Sequence, residues 1–126
     1  MRSAIIAIVG VLGPVAMVAA VATLATLAAC QSSDVSRAVG ARCSVNSECD
    51  QRCLPPGTDY PNGFCTTACN SRDDCPSGAT CADREGGICL FTCAVETDCE
   101  FLGANWHCKA ADLRGGGIKV MVCAGT

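Results

Sequence analysis

Twelve cysteines set in three groups of four constrain this chain more than any other feature of its sequence. The groups are Cys43, Cys49, Cys53 and Cys65; Cys69, Cys75, Cys81 and Cys89; and Cys93, Cys99, Cys108 and Cys123. In each group the first two cysteines are separated by five residues, and three residues join one group to the next. Group starts fall 26 and 24 positions apart, so residues 43–65, 69–89 and 93–123 form an internal repeat. A repeated spacing of this kind asks for a repeated supersecondary unit, with each cysteine in a fixed place.

Other positions keep the register. An acidic residue precedes each second cysteine: Glu48, Asp74 and Asp98. One place earlier stand Ser47, Asp73 and Thr97, which suit a turn because such side chains accept from nearby backbone amides. Gly78-Ala79 and Gly103-Ala104 recur before the third cysteine of the last two groups. Gly63-Phe64-Cys65 and Gly86-Gly87-Ile88-Cys89 recur at the fourth. Glycine supplies the dihedrals of a tight turn, and the apolar residue after it starts a short strand. Val120-Met121-Val122 gives the third group the same strand, with Gly115-Gly116-Gly117 before it expected as a mobile loop tip.

Composition explains why so many cysteines are needed. From Cys30 to the end there are 97 residues, of which 41 are apolar, and 13 of these are cysteines. Only Tyr60, Phe64, Phe91, Phe101 and Trp106 are aromatic. That is little apolar surface to set against a backbone ordering cost of about 1–2 kcal/mol per residue. Six disulfides at about 2–4 kcal/mol each would replace the missing core. A structural metal fits less well, because His107 is the sole histidine and an all-cysteine site would need reduced thiols. No cofactor is expected. Each group of four cysteines allows three internal pairings, and pairing across the three-residue joints is also open.

The first 29 residues differ from the rest. Met1–Ala29 holds 22 apolar residues and a single charge, Arg2, which is the pattern of a secretory signal. An apolar run of this length could also span a bilayer. Its end, Leu27-Ala28-Ala29-Cys30, resembles the lipobox of bacterial lipoproteins. The resemblance implies cleavage before Cys30, a diacylglyceryl group on its thiol, and a membrane partner through that lipid. Export also places the domain where disulfides persist. Gln31, rather than Asp, follows the cysteine, which by the same resemblance favours the outer membrane. Removing Cys30 from the count leaves an even number of cysteines. Residues 30–42 are expected as lipidated cysteine plus flexible tether, because Gln31–Arg42 is polar and rich in small residues.

The middle group, through Asp73-Asp74-Cys75-Pro76-Ser77-Gly78-Ala79-Thr80-Cys81 and Gly87-Ile88-Cys89, resembles cysteine-rich repeats of the Dickkopf N-terminal type. It is also similar to repeats in many lipoproteins of Gram-negative bacteria. The first group shortens one interval to three residues and the third lengthens two. Such a motif is mostly cysteine and turn residues, so it implies fold and assigns no binding residue.

Catalysis is not expected. The chain has no P-loop, no dinucleotide fingerprint, no Gly-x-Ser-x-Gly elbow and no Cys-x-x-Cys pair. His107 adjoins Cys108, but a bridged cysteine has no thiolate to offer. Asp73, Asp74, Glu96, Asp98 and Glu100 supply oxygens without a calcium-loop pattern. Beyond Cys30, eight basic residues stand against twelve acidic ones with no basic patch, which excludes nucleic acid as a partner. Two readings remain. One is an envelope display unit for an extracellular or envelope protein or a glycan, with Leu90, Phe91, Phe101, Leu102 and Trp106 as candidate contacts. The other is a protease inhibitor using the proline-stiffened loop Leu54–Phe64. The expected fold is small and disulfide-rich, mostly coil with short β-hairpins, in three stacked or beaded modules behind a helical leader.

Overall fold

The computed structural model describes residues 35–126. The leader and Cys30 lie outside the described residues, as do the first four residues of the expected tether, Gln31 to Asp34. Three antiparallel hairpins follow in chain order: β1 (Arg52–Leu54) with β2 (Phe64–Thr66), β3 (Ala79–Ala82) with β4 (Ile88–Phe91), and β5 (His107–Asp112) with β6 (Lys119–Ala124). A 3-10 turn precedes each hairpin, at Asn46–Glu48, Arg72–Asp74 and Glu96–Leu102. Among the described residues no helix is long and apolar enough to cross a membrane. The fold is small, disulfide-rich and dominated by short hairpins and coil.

The acidic residue before each second cysteine makes the turn. Asp74 accepts from the backbone N–H groups of Asn70 and Ser71 at 2.8 and 2.9 Å, and Asp98 from Ala94 and Val95 at 2.7 and 3.0 Å. Glu48, one methylene longer, accepts from Ser44 and Val45 at 2.5 and 3.3 Å. The side chain thus reaches back to amides that the short helix leaves without partners. These bonds to the charged form hold all three carboxyls below their ordinary range.

The hairpins fix the cysteine pairing. Cys53 faces Cys65, Cys81 faces Cys89, and Cys108 faces Cys123 across their ladders. Residues directly opposite in an antiparallel pair project from the same side, so each hairpin offers two sulfurs on one face. The segment carrying the 3-10 turn is bonded to that face by two cysteines, the first before the turn and the second just after it in the first two modules and within it in the third. The first cysteine then bonds the third and the second bonds the fourth: Cys43–Cys53 and Cys49–Cys65, Cys69–Cys81 and Cys75–Cys89, Cys93–Cys108 and Cys99–Cys123. No bridge crosses a three-residue joint. The joints instead run alongside the hairpins, held by isolated bridges and backbone hydrogen bonds.

Cys65 donates its N–H to Ala41 O, and Cys89 donates to Thr67 O, the equivalent residue two places before the next first cysteine. Bridges Ala68–Ile88 and Thr92–Val122 continue this pattern. The residue before each fourth cysteine, Phe64, Ile88 or Val122, is fully buried, as is the residue after it. Glycine two places before the fourth cysteine has a steric cause in the first two modules. A methyl group at Gly63 would lie 1.8 Å from Cys43 O, and one at Gly87 would lie 2.2 Å from Cys69 O. Both also take positive φ, 75° and 103°.

The modules are not beads. Val39, Leu54, Phe64, Phe91, Leu102 and Trp106 belong to one apolar cluster drawn from all three modules and from the segment before them. Phe64 meets Phe91 edge-on at 6.1 Å and Trp106 at 5.3 Å. Polar links add to it: Thr66 Oγ1 donates to buried Cys89 O at 2.8 Å, and Gly125 N–H donates to Asp59 O at 2.7 Å.

This packing corrects the expectation of a tether reaching Arg42. Val39 is fully buried, Gly40 N–H donates to Cys65 O, and Asp50 N–H donates to Arg37 O. Residues 40–42 occupy the place of the later joints 66–68 and 90–92, and two backbone hydrogen bonds to Cys65 tie them to the first hairpin. The expected loop tip at Gly115–Gly117 is the exposed turn joining β5 to β6. It closes through Gly116 N–H to Leu113 O, and Arg114 N–H donates to Cys81 O on β3.

Candidate interaction surface

The structure distributes the sequence-derived candidates between core and surface. Trp106 is 4% exposed, and its indole N–H donates to Pro61 O at 3.1 Å. Leu90, Phe91 and Leu102 are buried with it. These four residues are therefore core, and the expectation of them as contacts is corrected. The shared core takes four of the five aromatic side chains, and Leu90 and Leu102 pack with them. Phe101 alone of the five remains at the surface, 48% exposed, its ring 5.3 Å from that of Phe91. Ile118, Val95, Val45 and Met121 are exposed as well.

The loop Leu54–Phe64 is anchored at both ends. Leu54 and Phe64 are buried, and Cys53 and Cys65 next to them are bridged back to the 3-10 turn. Tyr60 turns inward, where burial first, and the nearby Glu85 charge second, raise the pKa of its phenol. Its carbonyl accepts from both Gly57 and Gly63. Pro55 to Asp59 stay exposed. A shallow cavity of about 260 Å³ opens beside them, lined by Gly57, Thr58, Pro61, Asn105 and Thr126. An inhibitor loop must offer free backbone groups to a protease strand. Here Gly57 N–H and Asp59 O are already engaged within the domain.

His107 and Glu96 form a surface pair. His107 Nδ1 meets Glu96 Oε1, and Glu96 Oε2 accepts from the Cys108 amide at 3.0 Å. The amide, followed by the imidazole, lowers the Glu96 pKa. Cys108 is bonded to Cys93, so the pair has no thiolate beside it. Sulfurs of Cys43, Cys49 and Cys53 lie close enough together for a metal, as do those of Cys69, Cys75 and Cys89 and of Cys93, Cys99 and Cys123. The cause is that two disulfides run side by side in each module, and a disulfide sulfur is not a thiolate ligand. Of the acidic candidates, Asp74, Asp98 and Glu96 accept from the backbone N–H groups of Asn70, Ala94 and Cys108.

Two ion pairs between modules were not foreseen from the sequence. Arg52 reaches Glu85 at 3.2 Å, and Arg114 reaches Asp83 at 2.7 Å. Nothing local marks them, since each joins residues more than thirty positions apart. The buried Val39 had a legible signal, because Gly40–Arg42 stands in register with the joints before Cys69 and Cys93. No protein-family model, curated protein or solved structure matches the chain.

Proposed function

We propose that this chain is an envelope-anchored lipoprotein whose disulfide-stapled domain serves a structural or binding role outside the cytoplasm, without catalysis. Cysteine parity carries the reading. All twelve cysteines after Cys30 pair among themselves, so none needs the thiol of Cys30. That leaves Cys30, at the end of an apolar run and in a Leu-Ala-Ala-Cys context, with lipid attachment as its chemistry. An extracytoplasmic address also supplies the oxidant that six bridges need. The outer membrane is the proposed destination, from Gln31 after the anchor. The resemblance to Dickkopf-type repeats bears on the module fold and adds no ligand.

Mass spectrometry of the protein purified from a Gram-negative host tests this. The expected mature species begins at Cys30, carries acyl chains on that residue, and lacks twelve hydrogens through its six bridges. Retention of Met1 in the membrane fraction, or free thiols in folded protein, would overturn it.

A further inference from the structure

Four residues, Gln31 to Asp34, separate Cys30 from Val35. Five Cα–Cα steps of that kind span at most about 18 Å. From Val35 onward the chain is docked: Ser36 bridges Gly40, Ala38 O accepts from Thr67 Oγ1 at 3.2 Å, and Val39 is buried. The surface around Val35 is therefore the one that a lipid on Cys30 would draw to a bilayer.

One buried ring, that of Phe91, links this segment to the exposed aromatic side chain of Phe101. A methyl group at Gly40 would sit 3.4 Å from Val35 Cα and 2.5 Å from Phe91 Cε2, so the docked segment lies against the Phe91 ring. Phe91 in turn meets Phe101 edge-on. Of the five aromatic side chains in the described residues, the other four are buried. Arg37 in the docked segment is neutralised by Asp50 at 3.6 Å and donates to Ser47 O at 2.9 Å. On a face that lies in a bilayer surface, Phe seats at the boundary between headgroups and acyl chains.

We propose that the face containing Val35, Arg37 and Phe101 rests on the membrane, with Phe101 seated at that boundary. The proposal depends on the lipoprotein reading above. The lipidated protein, once mass spectrometry has shown acyl chains on Cys30, is placed in phosphatidylethanolamine–phosphatidylglycerol vesicles containing brominated lipid. Phe101→Trp and Ile118→Trp are compared with the parent, whose buried Trp106 sets the background. The expected result is a loss of emission for Phe101→Trp beyond that of Ile118→Trp. Equal losses, or none, in acylated protein would overturn the membrane-facing assignment and leave the lipoprotein reading standing. Absence of acyl chains would overturn both. Should either variant fail to form six bridges, hydroxyl-radical footprinting of the unsubstituted lipoprotein on the same vesicles decides the matter. Protection of Phe101 relative to Ile118 supports the assignment, and equal labelling in proportion to exposure opposes it.

Discussion

Glu48, Asp74 and Asp98 show how a single side chain can define a module. Each accepts two backbone amides, so each is stabilised as the anion and its pKa falls on folding. A depressed folded pKa means that stability is fully present above the unfolded values, 4.5 for Glu and 3.8 for Asp. It is lost as pH falls through the lower folded values. Thermal melting followed from neutral to strongly acid pH should show the midpoint falling only below the ordinary carboxylate range. Asp74→Asn keeps an acceptor but no charge, and should flatten that dependence while lowering the midpoint at neutral pH. Gly63 and Gly87 act by steric fit instead. Gly63→Ala should destabilise by at least about 1–2 kcal/mol from its positive φ alone, with the collision against Cys43 O adding to this. Gly86→Ala, at φ 85° but with open space around it, should lose only the conformational part. Denaturant titration of the two variants measures the difference.

At the scale of elements, two disulfides fasten each 3-10 turn segment to its hairpin, and backbone bonds or an isolated bridge tie the joint before it to the same hairpin. The Leu54–Phe64 loop has a further support in Trp106 from the third module. Trp106→Ala removes a buried indole and its bond to Pro61 O, which should cost about 3–5 kcal/mol. The loop should respond most strongly. Hydrogen exchange is expected to show Pro55–Gly63 losing protection before the β3–β4 ladder does, and uniform loss across the domain would contradict that division. The bridges should also differ among themselves. Cys99–Cys123 closes a separation of 24 residues and Cys43–Cys53 one of 10. Chain entropy then gives about 3.5 kcal/mol for the former and about 2.8 kcal/mol for the latter. Paired Cys→Ala variants in urea test that order.

The whole molecule behaves as one unit because its apolar residues are shared. No module holds enough of them to bury a face alone: Phe64 from the first, Phe91 from the second and Trp106 from the third complete one another. Unfolding should therefore be a single transition, with probes in all three modules coinciding by hydrogen-exchange mass spectrometry. Three separate transitions would show that the shared cluster contributes little. Cross-module ion pairs at Arg52–Glu85 and Arg114–Asp83 are largely exposed and should add about 0–1 kcal/mol each.

Sequence alone determined the three-part repeat, the disulfide-rich class, and the strands starting at Phe64 and Ile88 and covering Val120–Val122. These are local properties: a spacing, a glycine, an apolar residue beside a cysteine. The pairing of first with third and second with fourth was decided by tertiary structure, because it follows from which cysteines face each other across a ladder. Burial of Trp106 was decided there too. Residues flanking a cysteine look alike in sequence, and only the closing of three modules on one cluster determines that Trp106 becomes core while Phe101 stays at the surface. Geometry makes that choice: Trp106 lands against Phe64 and donates to Pro61 O where the first and third modules meet, whereas Phe101 meets Phe91 edge-on and keeps half its surface in solvent.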